Sequence, residues 1–112
     1  MPSPLRYTSP AQTAFDGSDL SGQIAIVTGA SSGIGRAVAL DLARCGTDIA
    51  FCFLDTGSQS RLDAQDVARA LRELEVRVFF RSCDVRESGD VRSFVEEVEE
   101  ALGSVHILVN NA

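Results

Sequence analysis

The chain has 112 residues, 45% hydrophobic and 23% charged, which suits one small domain and leaves no apolar run long enough to span a bilayer. Its ten basic residues are all arginine and its sixteen acidic residues are nine Asp and seven Glu, a formal charge of -6 that argues against a nucleic-acid-binding face. Lysine is absent and Tyr7 is the single tyrosine, so these residues cannot supply a lysine base, a lysine Schiff base or a tyrosine–lysine pair.

Residues 1–22 hold all three prolines, Pro2, Pro4 and Pro10, among Ser, Thr, Gly and Ala, and show no helical or strand period. They are expected to form a flexible tail. The segment lacks the basic start and apolar stretch of an export signal. Cys45, Cys52 and Cys83 sit among apolar neighbours without CxxC spacing, so they are expected to be buried and reduced, in a cytoplasmic protein. His106 is the only histidine, and no Cys/His cluster offers a metal site.

From Ile24 onward, short apolar runs alternate with stretches of helical period, and no internal repeat competes with that pattern. The first run, Ile24 to Val27, predicts a strand. A helix with an apolar stripe of Ile34, Val38 and Leu42 follows, eased by Ala37, Ala39 and Ala43 and stopped at Gly46. Ile49 to Leu54 predicts a second strand, and Val67, Ala68, Leu71 and Leu74 a second helix. Val76 to Phe80 is the third strand. Val91, Phe94, Val95, Val98, Ala101 and Leu102 then recur at steps of three and four, between a Ser88 cap and a Gly103 stop. Ile107 to Val109 is the fourth strand. The runs lack polar alternation, which suits strands buried on both faces, and this alternation of elements implies right-handed crossovers and a parallel sheet in the order 3-2-1-4.

Directly after the first strand comes Thr28-Gly29-Ala30-Ser31-Ser32-Gly33-Ile34-Gly35, a glycine-rich turn leading into a helix. Gly29 permits a tight turn, Gly33 lets backbone approach a pyrophosphate, and Gly35 lets the helix pack closely. The helix N-terminus adds unpaired N–H donors and roughly half a positive charge, and Ser31 and Ser32 add hydroxyls, so phosphate needs no lysine here. The nucleotide loop GxxxxGK followed by Ser or Thr requires a lysine that the chain lacks, which disfavours an ATPase or GTPase. Taken alone, such a turn also reads as a plain strand-to-helix connection.

Two further segments are expected at the same sheet edge: Cys83-Asp84-Val85 after the third strand and Asn110-Asn111-Ala112 after the fourth. Ligands of open parallel sheets bind outside the carboxyl ends of the strands, beside the switch point between strands one and four. Asp84 is placed to accept from an adenine amino group, and Asn111 to order the loop beside a ribose or nicotinamide. Singly, each reads as a turn residue. His106 is expected at the opposite strand end, and Glu96, Glu97, Glu99 and Glu100 as a solvated helix face.

Together these residues resemble the short-chain dehydrogenase/reductases, which carry TGxxxGxG, then Asp-Val or Asn-Val after strand three, then NNAG. Here those are Thr28 to Gly35, Asp84-Val85 and Asn110-Asn111-Ala112, and Leu20 to Gln23 resembles the family's lead-in. The resemblance covers residues 20 to 112. It implies a Rossmann-type doubly wound α/β sheet, with residues 23–112 as the N-terminal half of an NAD(P)-binding domain and the later strands missing. It further implies an oxidoreductase acting on carbonyls or alcohols, with homo-oligomeric full-length relatives. The cofactor-binding residues implied are Gly29, Ala30, Ser31, Ser32, Gly33, Ile34, Gly35, Asp84, Val85 and Asn111.

The family's catalytic serine and YxxxK pair follow NNAG, so no catalytic residue is assigned here and the 112 residues alone are expected to be inactive. Tyr7 has no lysine three or four residues on and is not a substitute. Counting from Gly46, the family's acid that binds a ribose 2′-hydroxyl falls on Phe53, with Asp55 two residues later. Ser32 and Leu54 stand where relatives carry a base for a 2′-phosphate. The balance favours NADP over NAD, with hydroxyls of the Thr56 to Ser60 loop and Arg61 as donors. A non-catalytic dinucleotide-binding or interaction module is the alternative.

Overall fold

The computed structural model describes residues 20–111, so the expected tail lies outside the described residues except for its last three positions. There Gln23 N–H donates to Leu20 C=O at 3.1 Å and Leu20 N–H to Cys45 C=O at 3.3 Å. The elements run β1 (Ile24–Thr28), α1 (Gly33–Arg44), β2 (Asp48–Phe53), α2 (Ser58–Glu73), β3 (Val78–Ser82), α3 (Ser88–Ala101) and β4 (Ile107–Val109).

All strand pairs are parallel and the order is β3-β2-β1-β4, as the alternating pattern predicts. Walking from β1 to β3 in one direction and then back past β1 to β4 reverses the crossover, and right-handedness therefore sends the last helix to the other face. The packing follows that rule. Ala25, Val27, Ile49 and Phe51 meet Ala39 and Ala43 of α1 and Val67, Ala68 and Leu71 of α2. On the opposite face Ile24, Ile26, Ala50 and Cys52 meet Phe94 and Val98 of α3. The period of two along β1 and β2 thus divides their side chains between two apolar layers. Phe51 and Phe80 stack at 5.1 Å in the first layer, and Phe79 leans on Phe94 at 6.2 Å in the second.

Three local expectations change. In α1 the buried stripe is Gly35, Ala39 and Ala43, whereas Ile34 is 75% exposed and Ala37 faces solvent. The helix lies close to the sheet on its smallest residues, and close approach outweighs apolar bulk. Strand β3 starts at Val78, two residues into the apolar run that begins at Val76, because Arg77 is drawn to Asp48 through its N–H (2.8 Å) and its guanidinium (Nε, 3.0 Å). The residue before α3 is Glu87, with Ser88 already helical and no side-chain cap bond formed. Both-face burial holds for β1 and for β2 beyond Asp48, while β3 and β4 at the sheet edges are only partly covered.

Gly46 (φ 92°) and Gly103 (φ 114°) end α1 and α3 in the left-handed region as expected. Cys45, Cys52 and Cys83 are all buried, and none is in a disulfide among the described residues. No helix among the described residues is long and apolar enough to cross a membrane.

Candidate functional site

The carboxyl ends of the four strands open on one edge, and the three motif segments meet there. Gly29 leaves β1 with φ 67° and donates its N–H to Cys52 C=O at 3.0 Å, fixing the turn to the end of β2. Ala30 is fully buried in the α1/α2 layer. Ser31 is half-buried and Ser32 exposed. Ser32 is extended (φ -158°, ψ 169°) and makes no side-chain cap bond to α1. The first helical backbone bond back is Arg36 N–H to Ser32 C=O at 3.3 Å. Helix geometry leaves the preceding N–H groups, on Gly33 to Gly35, without intrahelical acceptors, and they carry the positive end of the helix dipole.

The glycines do different work. Gly33 has φ 60° with open space around a built Cβ, so its requirement is conformational. At Gly35 a Cβ would overlap the Gly29 carbonyl oxygen and fall 2.6 Å from Asn111 Nδ2. Its requirement is steric, and the close partner is the turn itself together with β4's end.

Asn111 joins the switch point. Its N–H donates to Thr28 Oγ1 at 2.8 Å and its Nδ2 to Gly29 C=O at 3.2 Å. Thr28 Oγ1 in turn lies 3.4 Å from both Val109 C=O and Asn110 Oδ1. The Asn111 amide therefore orders the glycine turn from the β4 side. Ile34, beside that turn, presents its side chain outward.

On the β2–β3 side lies a cleft of about 460 Å³, within the roughly 300–1,000 Å³ of small-molecule sites. Its lining includes Phe53, Leu54, Cys83, Asp84, Val85 and Arg86. The walls are largely apolar. Asp84 is partly exposed and its carboxylate is forked by Arg86, Nε to Oδ1 at 2.9 Å and Nη2 to Oδ2 at 2.8 Å, with Arg86 N–H on Oδ1 at 3.0 Å. These bonds hold its pKa down to about 2 from an ordinary 3.8. Its own N–H donates to Asp90 Oδ2 at 2.8 Å, and Arg81 Nη1 holds Asp90 Oδ1 at 3.0 Å. Burial pushes both cleft thiols up, Cys83 to about 11.

Phe53 closes β2, nearly buried, with no carboxylate at that place. Asp55 does not replace it. Its Oδ1 accepts from Gly57 N–H (3.1 Å), Ser60 Oγ (3.3 Å) and Arg61 Nη1 (2.9 Å) at the start of α2. Ser60 and Arg61, expected as donors to a 2′-phosphate, are thus engaged in shaping that turn. His106 stands at the far end of the sheet, where its Nδ1 accepts from Ile24 N–H at 3.1 Å.

Thr28 as a hub and Arg86 as Asp84's partner are absent from the sequence reading. The Asp-Val-Arg spacing was the available sign of the second, since an aspartate readily bonds the N–H two residues on.

Sheet order, glycine turn and switch-point position define a Rossmann-type α/β architecture. Residues 23–112 match the family model described as short chain dehydrogenase, and the chain belongs to that family. It is 39% identical over 104 residues to the NADPH-dependent aldehyde reductase 2, chloroplastic, of Arabidopsis thaliana, covering 83% of this chain and 37% of the relative. It is 32% identical over 90 residues to the short-chain dehydrogenase/reductase homolog YusS of Bacillus subtilis, covering 80% of this chain and 79% of that one. A hydroxysteroid dehydrogenase structure from Escherichia coli superposes with a TM-score of 0.75 at 30% identity, covering 87% of this chain and 38% of the other. Apart from YusS, the chain spans roughly a third of the length of these relatives, for example 37% of the plant reductase.

Proposed function

We propose that residues 23–112 are the dinucleotide-holding part of an NAD(P)-dependent oxidoreductase, and that the ligand is NADP in preference to NAD. The observation that carries the reading is the convergence at one sheet edge of three segments far apart in sequence, tied by the Asn111 bond to the Gly29 carbonyl. In this reading the N–H groups of Gly33, Ile34 and Gly35 bind the pyrophosphate, aided by the Ser31 and Ser32 hydroxyls, while Gly29 and Ala30 contribute backbone. The apolar cleft takes the adenine, with Asp84 accepting from its amino group and the adjoining Val85 N–H facing its ring edge. Asn111 orders the turn on the side of the second ribose. The dinucleotide, once bound, supplies hydride exchange with a carbonyl or alcohol.

The preference for NADP rests on what the 2′-position meets. No carboxylate stands at Phe53, Asp55 is committed to α2, and the one acid lining the cleft is neutralised by Arg86. A 2′-phosphate therefore meets no uncompensated negative charge. The Tyr–Lys chemistry of the resembled family is not contributed by these residues, which contain no lysine. The reduced thiols fit a cytoplasmic setting.

The test is titration of NADPH and NADH into the 112-residue protein, followed by nicotinamide fluorescence, alongside a carbonyl-reduction assay. Saturable binding, tighter for NADPH, without turnover is the expected result. Absence of binding defeats the dinucleotide reading, and turnover by the purified chain defeats the assignment of catalysis to other residues. A purely interacting module would bind neither dinucleotide.

A further inference from the structure

We infer that Arg86 is a positioning residue for base selection: its guanidinium aims the Asp84 carboxylate so that the cleft chooses a 6-aminopurine over a 6-oxopurine. The inference rests on the dinucleotide reading above and concerns a residue that reading does not need.

An aspartate carboxylate turns about a broad final torsion, so an isolated Asp84 offers its acceptors over a range of directions. Here both oxygens are fixed. Nε and the backbone N–H of Arg86 take Oδ1, and Nη2 takes Oδ2 at 2.8 Å. A carboxylate has about four acceptor positions, and this arrangement fills two on Oδ1 and one on Oδ2, leaving one on Oδ2 for a further donor. The backbone beneath is also held, through Asp84 N–H to Asp90 and Asp90 to Arg81. Among the described residues no acceptor takes the Val85 N–H.

The result is a directed acceptor beside an available donor on the cleft wall. A 6-aminopurine presents the complement, an amino donor next to the N1 acceptor. A 6-oxopurine presents the reverse, a carbonyl next to an N1–H, and would set oxygen against carboxylate and N–H against N–H. Arg86's side chain is largely exposed, and an exposed pair adds little to stability, so direction is what the fork contributes.

The test titrates two reduced nicotinamide dinucleotide phosphates, one with adenine and one with hypoxanthine, into wild type, Arg86→Ala and Arg86→Lys, with circular dichroism confirming the fold. Wild type is expected to favour the adenine form by about tenfold, the scale of one hydrogen bond to a charged group. Arg86→Ala should bring the ratio to about threefold or less by weakening the adenine form, with only a small fall in melting temperature. Arg86→Lys keeps the charge without the fork and should fall between the two, and it keeps the test decisive if the alanine variant loses structure. A wild-type ratio retained in Arg86→Ala, or no base preference in wild type that still binds NADPH, overturns this inference and leaves the dinucleotide reading standing. Failure of wild type to bind either compound overturns both.

Discussion

Gly35→Ala isolates the contact on which the site is built. The added methyl would overlap the Gly29 carbonyl oxygen and stand 2.6 Å from Asn111 Nδ2. The carbonyl belongs to a turn fixed by the Gly29 bond to Cys52, so it cannot swing aside as a flexible side chain would. Overpacking of this kind costs about 1–3 kcal/mol, loss of the Asn111 bond about 1, and the better helix propensity of alanine returns about 1. The net expectation is a destabilisation of about 1–3 kcal/mol, seen as a fall of roughly 4–8 °C in melting temperature per kcal/mol. The chain has no tryptophan, so far-ultraviolet circular dichroism is the suitable probe. Dinucleotide affinity should fall with it, by about tenfold or more, because the turn that holds the phosphates is the part displaced. Gly33→Ala is the control: nothing lies near its Cβ, and only the left-handed backbone at φ 60° resists, at about 1–2 kcal/mol. A Gly35→Ala protein as stable as wild type and binding NADPH equally well would refute the packing argument.

Leu54→Asp places an acid on the cleft's exposed rim and should turn the preference from NADPH toward NADH, read as a reversal of the two dissociation constants; an unchanged ratio would place the 2′-position elsewhere. The Asp84 carboxyl should titrate near 2 by NMR in the folded protein. Since that value lies below its ordinary 3.8, the Asp84–Arg86 pair stabilises fully above about pH 4 and loses its contribution as pH falls toward 2. In Arg86→Ala the titration should move back up, and a midpoint that stays near 2 would deny Arg86 its part. Cys52 and Cys83, buried and with raised pKa values, should react slowly with iodoacetamide at pH 7 and faster as pH rises. NADPH should slow that reaction further, and equal rates with and without it would remove the thiols from the bound face.

Strand identity and order were readable because each run is short, apolar and set between helical periods, and because crossover handedness leaves few arrangements. The glycine turn was readable as spacing, yet the reason for each glycine was not. Gly35 was expected to bring helix and sheet together, and its tightest neighbours are Gly29 and Asn111, the latter 76 positions away in sequence. The apolar stripe expected on α1 misled for a related reason. Periodicity marks Ile34, Val38 and Leu42, but the helix approaches the sheet along Gly35, Ala39 and Ala43, where small size decides.

What a motif conceals most is the state of its charged groups. Asp84 and Asp55 look alike in sequence, each an acid just past a strand, and each has its pKa lowered by its partners, Asp84's to about 2. Their partners send them in different directions. Arg61 and the Gly57 N–H draw Asp55 onto the first turn of α2, which removes it from the place where an acid would select a ribose hydroxyl. Arg86 instead holds Asp84 on the wall of the cleft, where an acceptor has a ligand edge to meet. The difference arises from an arginine two residues on in one case and six in the other. A carboxylate's availability to a ligand is therefore set by the nearest guanidinium, and exchanging those arginines for neutral residues is the perturbation to which cofactor choice at this edge should respond.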